Sequence, residues 1–305
     1  MSKGIQLENL LNEYLLDIRL KNYSIRTLKS VKNNNLLFFA YLESEYGITT
    51  IEKVSHVHLK AYIKHKQALG LKATYINSIL RNVRMFFKYL EQEEYISSNY
   101  AKKVSWQKED RVIIKSFTDK EVAKMMKVYK FNSYISARNA CIMAVLFDTG
   151  IRNSELCHIK LVDIKTNAIL IYGKGKKERF VPITPSLAKI MLKYEQKRNL
   201  FIKERYDHQY YFLSQKGKLL TPEAIERVVK TCGKEAGIRK EIRCSPHTCR
   251  HYYAQAQLRN GLDVYSVSRL LGHDDIGITK RYLQSMQDED VLNRAMQTSP
   301  LMNIK

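Results

Sequence analysis

The stretch LLGHDDIGITKRYLQ, Leu270–Gln284, decides how the second half of the chain is read. Gly272, directly after an apolar pair, is the residue type that ends a helix in a left-handed cap, so a helix over 264–271 stops there and His273 falls in a turn rather than in a core. Tyr282 lies nine residues on, in a short helix that also carries Ile276 and Ile278. A tyrosine at helical spacing from apolar residues usually packs in a core, and this chain holds 20 tyrosines. A phenol ionises near about 10, so chemistry at Tyr282 requires a base or a cationic field beside it. Those partners must come from elsewhere in the chain.

Upstream, SPHTCRHYYA opens a helix over 247–260. Pro246 suits its first turn, and His247 and Arg250, three apart, share one face. Helix N-termini attract phosphate oxygens, although ordinary polar residues of a surface helix give the same pattern. Helices over 185–205 and 222–236 come before it. Earlier still, AILIYG (168–173) and ERFVPI (178–183) are rich in β-branched residues and joined by KGKK, which predicts a hairpin with a lysine-rich tip. Lys174 on that tip is a flexible ammonium that either protonates a leaving oxygen or anchors a phosphate. ARNACIMAVLFDTG reads as a buried helix ending at Gly150. Arg152, just past it, is held for bidentate contact with a phosphodiester, or caps helix carbonyls, or pairs with Glu155.

The first ninety residues have a simpler pattern. Leu7, Leu10, Leu11, Tyr14, Leu15 and Ile18 form one helical stripe, and three more amphipathic stretches follow at 24–46, 56–69 and 73–95, with glycines in YGITT and LGLK breaking the pattern. Four helices make a compact bundle, and basic residues from Arg19 through Arg84 to Lys88 give it candidate phosphate-facing sides. NYAKKVSWQKEDRVIIKSF (99–117) is charged and aperiodic, and TDKE then offers a capping box from Thr118 to Glu121. The expected organisation is a domain over 1–98, a joint over 99–117 and a second domain over 118–305 that ends in a tail helix near 288–296. The fold class is mainly α: a helical bundle followed by a mixed α/β domain, mostly helical with a small antiparallel β region.

Composition narrows the function. The 305 residues suit two domains, and no run approaches the roughly 18 apolar residues of a membrane span. MSKGIQLENLLNEY has no apolar core before a small-residue cleavage site, so the expected location is the cytoplasm. Five cysteines without CxxC spacing fit neither a disulfide framework nor a zinc site, and Cys244, His247, Cys249 and His251 are too crowded to form two spaced ligand pairs. No GxxxxGK[ST] stretch and no carboxylate cluster for paired metals is evident. The net charge is +22 and the pI about 9.7. Residues 1–110 carry 17 basic and 11 acidic side chains and the remainder 35 and 19, so both parts are basic and suit a clamp on nucleic acid.

Taken together, Arg152, Lys174, His247, Arg250, His273 and Tyr282 follow the order and spacing R…K…HxxR…H…Y. With TGIRNSEL, GKGKKERFVPI, HTCRH and LLGHDDIGITKRY around them, they make the chain resemble the tyrosine recombinases of the phage-integrase and Xer type over nearly its whole length. The resemblance implies a SAM-like core-binding domain before a catalytic domain. Tyr282 would attack the scissile phosphodiester of double-stranded DNA and form a 3′-phosphotyrosyl link. Arg152 and Arg250 would clamp the non-bridging oxygens, and Lys174 would protonate the departing 5′-oxygen. His247 would take or share the tyrosine's proton, His273 would hydrogen-bond the phosphate, and Glu155 would orient its neighbours. It further implies that no metal or nucleotide cofactor is needed, because the covalent link keeps the bond energy of the diester, and it implies four protomers on a recombination site and a C-terminal element, DEDVLNRAMQ, that docks on a neighbour or packs on its own domain. Leu283 and Gln284 after the tyrosine, and Cys249 and Tyr252 in the HxxRH block, depart from the chromosomal Xer wording and favour an integrase of a mobile element. The rival readings are Xer-type dimer resolution, a type IB topoisomerase, and a DNA-binding protein without activity.

Overall fold

The computed structural model describes residues 4–109, 114–173, 175, 177–202, 209–283 and 296. The chain divides into two compact units, Met1–Arg111 and Val112–Lys305. Among the described residues no helix is long and apolar enough to cross a membrane.

The first unit contains the four expected helices, α1 Leu7–Leu20, α2 Ile25–Tyr46, α3 His56–Ala68 and α4 Ala73–Gln92. Their ends follow the chemistry of the residues there. Ser24 accepts a hydrogen bond from the Thr27 N–H at the start of α2, and Gly47 closes that helix at φ +62°. The stripe on α1 is buried at Leu7, Leu10, Leu11, Tyr14 and Ile18, whereas Leu15 sits at its margin. α4 supplies the widest apolar face, from Ile76 through Phe86 and Phe87 to Leu90. Arg84, one of the basic residues read as phosphate-facing, is engaged inside the unit. Its Nε donates to Ala101 O at 3.1 Å, its Nη2 donates to Val104 O, and its guanidinium stacks 4.2 Å above the Trp106 ring.

In the second unit, α5 Asp119–Met125 begins with the expected capping box between Thr118 and Glu121. α6 Tyr134–Thr149 buries side chains all around its circumference, as a helix at the centre of a core must. The short α7 Asn153–Cys157 follows. Strands β1 Ala168–Tyr172 and β2 Glu178–Pro182 pair antiparallel, with Ile169 opposite Val181 and Leu170 opposite Phe180. Ile169, Ile171 and Val181 point into the core, so Arg179, two before Val181, shares the inward face. α8 Pro185–Ile202, α9 Pro222–Glu235, α10 Pro246–Arg259, α11 Val264–Leu271 and α12 Ile276–Leu283 complete the unit. α10, α11 and α12 share a small core of Tyr253, Ala254, Leu258, Val267, Leu271 and Tyr282. The fold is therefore mostly helical with one small antiparallel sheet among the described residues. Lys174 and, apart from Met296, the tail helix lie outside those residues.

Candidate active site

The last carbonyls of a helix have no partner within it, and the negative end of the helix dipole lies there. α11 ends as its sequence dictates: Gly272 adopts φ +65°, its N–H returns to Arg269 O, and the His273 N–H returns to Ser268 O. The next three carbonyls are each taken by an arginine from a different part of the chain. Arg179 Nε donates to Leu270 O at 2.7 Å, Arg250 Nη2 to Leu271 O at 2.7 Å and Arg152 Nη2 to Gly272 O at 2.8 Å. Consecutive residues are only about 3.8 Å apart, so this cap draws three guanidinium groups into one small volume. Glycine is needed at 272 for its backbone angle and for space, because a Cβ there would lie 3.0 Å from Arg179 Nη1.

Glu155 neutralises part of that charge. Its carboxylate accepts from the Arg152 N–H (2.7 Å), Arg152 Nη1 (2.9 Å), Arg179 Nη1 (3.0 Å) and Arg179 Nη2 (2.7 Å). Burial alone would raise its pKa, but the hydrogen bonds and charge of Arg179, followed by the bonds from Arg152, hold it below the ordinary glutamate value. Arg152 thus pairs with Glu155 and caps a helix at the same time. About a third of its side chain (32%) stays open, leaving N–H groups for an anion. Arg250 is only 4% exposed and also donates from Nη1 to Gly150 O at 2.8 Å. Burial, then the nearby Arg152 charge, lowers its pKa to about 10.

A guanidinium can only donate, so the 2.8 Å contact between Arg250 Nη2 and His273 Nε2 makes that ring nitrogen an acceptor. The His273 proton then sits on Nδ1 and is donated to Thr279 Oγ1 at 2.8 Å. Burial, followed by Arg250, Arg152 and Arg179, brings the His273 pKa down to about 4 and keeps the ring neutral. Among its described side chains α12 buries Thr279 and Tyr282, three apart, whereas Ile276 and Ile278 face outward. Burial raises the pKa of Tyr282 against the opposing pull of Arg250 and Arg152.

The hydroxyl of Tyr282 lies 3.0 Å from Nδ1 of His251, with the two ring centroids 5.5 Å apart. His247, one turn earlier on α10, is exposed, and its ring centroid is 6.4 Å from that of His251. Desolvation, then the Arg250 charge, lowers the His247 pKa. Five of the six residues singled out from the sequence therefore lie in this region, and the sixth, Lys174, is outside the described residues. Sequence reasoning missed Arg179, Thr279 and His251. The spacing of four between His247 and His251 on one helix was the available signal for the last. Among the described residues no group of three or more His, Cys, Asp or Glu is placed to hold a metal ion.

Residues 115–289 match the phage integrase family, and residues 11–94 match the phage integrase N-terminal SAM-like domain. The chain belongs to the phage integrase family, the tyrosine recombinases. It is similar to the tyrosine recombinase XerC of Anoxybacillus flavithermus, with 31% identity over 92% of this chain and 93% of the relative. It is also similar to the tyrosine recombinase XerD of Oceanobacillus iheyensis, at 29% over 90% and 93%. In fold it resembles the XerH site-specific recombinase bound to a palindromic difH substrate (TM-score 0.74, 19% identity, 97% of this chain and 84% of that one). A lambda integrase tetramer bound to a Holliday junction gives TM-score 0.74 at 16% identity, over 92% and 78% of the two chains.

Proposed function

We propose that this chain is a site-specific DNA recombinase that cuts and rejoins strands through a covalent link between Tyr282 and a 3′-phosphate. One observation carries the reading: Arg152 and Arg250 are bound to adjacent carbonyls, His273 is bound to Arg250, and Tyr282 is buried in their field. In the cleavage step the Tyr282 oxygen bonds to phosphorus and the bond from phosphorus to the 5′-oxygen breaks. The phenolic proton passes to a histidine of α10, and the Lys174 ammonium supplies a proton to the departing oxygen. Arg152 and Arg250 stabilise the charge that builds on the non-bridging oxygens, and His273 adds a hydrogen bond there. The phosphotyrosyl link keeps the bond energy of the diester, so rejoining needs no nucleotide.

Residues 1–98 and 118–305 would act as the DNA-binding bundle and the catalytic domain, joined by 99–117. The partners are duplex DNA and further protomers, four on a synapsed pair of sites, and the setting is the cytoplasm. A concavity of about 730 Å³, beside α9 and residues 238–244, supports DNA contact, because Arg227, Lys230, Lys234, Arg239, Lys240 and Arg243 line it and outnumber Glu223 and Glu226 there. Leu283 and Gln284 after the nucleophile support service to a mobile element. The near full-length similarity to XerC and XerD supports a second reading, resolution of chromosome or plasmid dimers.

The test is a nicked suicide duplex carrying a site selected from random DNA. The parent protein forms an adduct that survives denaturant, and Tyr282→Phe forms none. An adduct that persists in Tyr282→Phe would move the nucleophile elsewhere. Relaxation of a site-free plasmid by a monomer would instead indicate a topoisomerase.

A further inference from the structure

Of the two histidines on α10, the one whose position in HxxR carries the resemblance is the one that does not touch the tyrosine. We infer that His251 takes the Tyr282 proton during strand cleavage and returns it during rejoining, an assignment that rests on the cleavage chemistry proposed above. In the forward step the Tyr282 O–H bond breaks as Oη bonds to phosphorus, and the proton moves to Nδ1 of His251. In the reverse step the His251 imidazolium protonates Oη as the link to phosphorus breaks.

The geometry supplies the first argument. A general base must lie within about 2.6–3.2 Å of the atom it deprotonates, and Nδ1 of His251 is 3.0 Å from Tyr282 Oη. The contact is built into packed elements. His251 directly follows Arg250 on α10, whose Tyr253, Ala254 and Leu258 share a core with Tyr282 itself. His247 is the more exposed of the two, and its ring centroid lies 6.4 Å from that of His251.

The second argument is electrostatic. Burial, then His247 and Arg250, lowers the pKa of His251 to about 4, so at neutral pH the ring is uncharged and has a free nitrogen to offer. Tyr282 keeps its proton for the opposite reason, since burial raises its pKa. A neutral acceptor facing a protonated phenol is the correct starting pair. Arrival of a phosphodiester shifts the balance, because its negative charge offsets the Arg250 charge that adds to burial in holding the imidazolium off. His251 becomes a better base when there is something to cleave.

The test compares full-length parent, His251→Gln, His247→Gln and Tyr282→Phe in two reactions on the selected site. One is adduct formation on the suicide duplex. The other is joining of a 5′-hydroxyl strand to a DNA end bearing a 3′-p-nitrophenyl phosphate, whose leaving group departs without a proton and bypasses both Tyr282 and its base. Proton transfer by a positioned side chain contributes about 10²–10⁴-fold, so His251→Gln is expected to slow adduct formation by about 10²-fold or more while joining stays within about threefold of parent. His247→Gln is expected to slow adduct formation less. The assignment is overturned if His251→Gln forms adduct within about threefold of parent. It is equally overturned if both reactions fall by the same factor, which would make His251 a support of the phosphate site, or if the selective loss belongs to His247→Gln. Failure of the cleavage reading itself has a separate signature: a parent adduct that Tyr282→Phe retains.

Discussion

Replacing Glu155 with glutamine changes one atom and tests whether the arginine cluster is held together by charge. The carboxylate is 7% exposed and accepts four hydrogen bonds, three of them from guanidinium N–H groups. An amide keeps one acceptor oxygen and turns an NH₂ group toward donors that cannot accept from it. Hydrogen bonds to charged groups contribute about 1.5–3 kcal/mol each, and breaking a buried ion pair by removing one partner costs about 3–5 kcal/mol, so Glu155→Gln is expected to lose about 3–4 kcal/mol. For a unit of this size each kcal/mol moves Tm by about 2–4 °C, giving a drop of about 6–16 °C at pH 7. The pH dependence has a fixed sign. The carboxyl is held below its ordinary value of 4.5, so its contribution is complete above that pH and is lost as pH falls through the folded-state value. Thermal melts of parent and variant should therefore keep a constant gap from pH 7 down to 4.5 and converge only in stronger acid, as pH falls through the folded-state value, and adduct formation at pH 7 should fall as Arg152 loses its orientation. A Tm within about 2 °C of parent at pH 7, or a gap that widens in acid, would refute the reasoning.

Arg250→Lys leaves one ammonium to reach Gly150 O, Leu271 O and His273 Nε2, which it cannot do at once. Adduct formation should fall by at least about 10²-fold, and urea titration should show a loss of about 2–3 kcal/mol from the stranded carbonyls. Gly150 and Gly47 share a left-handed backbone at φ +61° and +62°, but a Cβ at 150 would lie 2.3 Å from the Tyr253 ring while one at 47 meets nothing within 4 Å. Gly47→Ala should cost about 1 kcal/mol and Gly150→Ala about 3 kcal/mol, both read by denaturation; equal losses would discount the close approach. His251 and His273 ionise near 4 in the fold against 6.5 as free side chains, so between those limits the unfolded state binds more protons. Stability should be level above pH 6.5 and decline below it by up to about 1.4 kcal/mol per pH unit for each ring, and His273→Gln should flatten that slope in urea titrations.

The parts of this architecture that could be read in advance are those governed by one element at a time. Thr118 marks a helix start by its capping hydroxyl, Gly150 and Gly272 mark helix ends by their left-handed backbone, and each does so in the structure. The hairpin followed from Ile169, Ile171 and Val181. What escaped depends on which way an element is rotated against its neighbours. His247 and His251 are the same residue type on one helix, and only the packing of α10 on α12 decides which ring meets the phenol. Ile276 and Ile278 looked like the apolar companions of Tyr282, yet two positions apart they cannot share a helix face. Thr279 turns inward instead and accepts the His273 Nδ1–H. Arg179 was hidden among the tip lysines, although its alternation with Val181 already placed it on the inward face of β2.

The opening stretch owes its importance to its backbone as much as to its side chains. Three guanidinium groups at one place repel one another, and their positions in the chain, 152, 179 and 250, give no local reason to meet. The unsatisfied carbonyls of Leu270, Leu271 and Gly272 provide that reason, with the negative end of the α11 dipole behind them and Glu155 opposite. Three arginines against one glutamate leave a net surplus of positive charge, which the neutral states of His251 and His273 keep from growing. Burial first, and then this surplus, keeps those rings neutral, since a further proton would add charge to a site already short of anions. In the proposed reaction a phosphodiester would relieve that shortage beside the Tyr282 hydroxyl, so binding energy and nucleophile activation would draw on the same electrostatic imbalance.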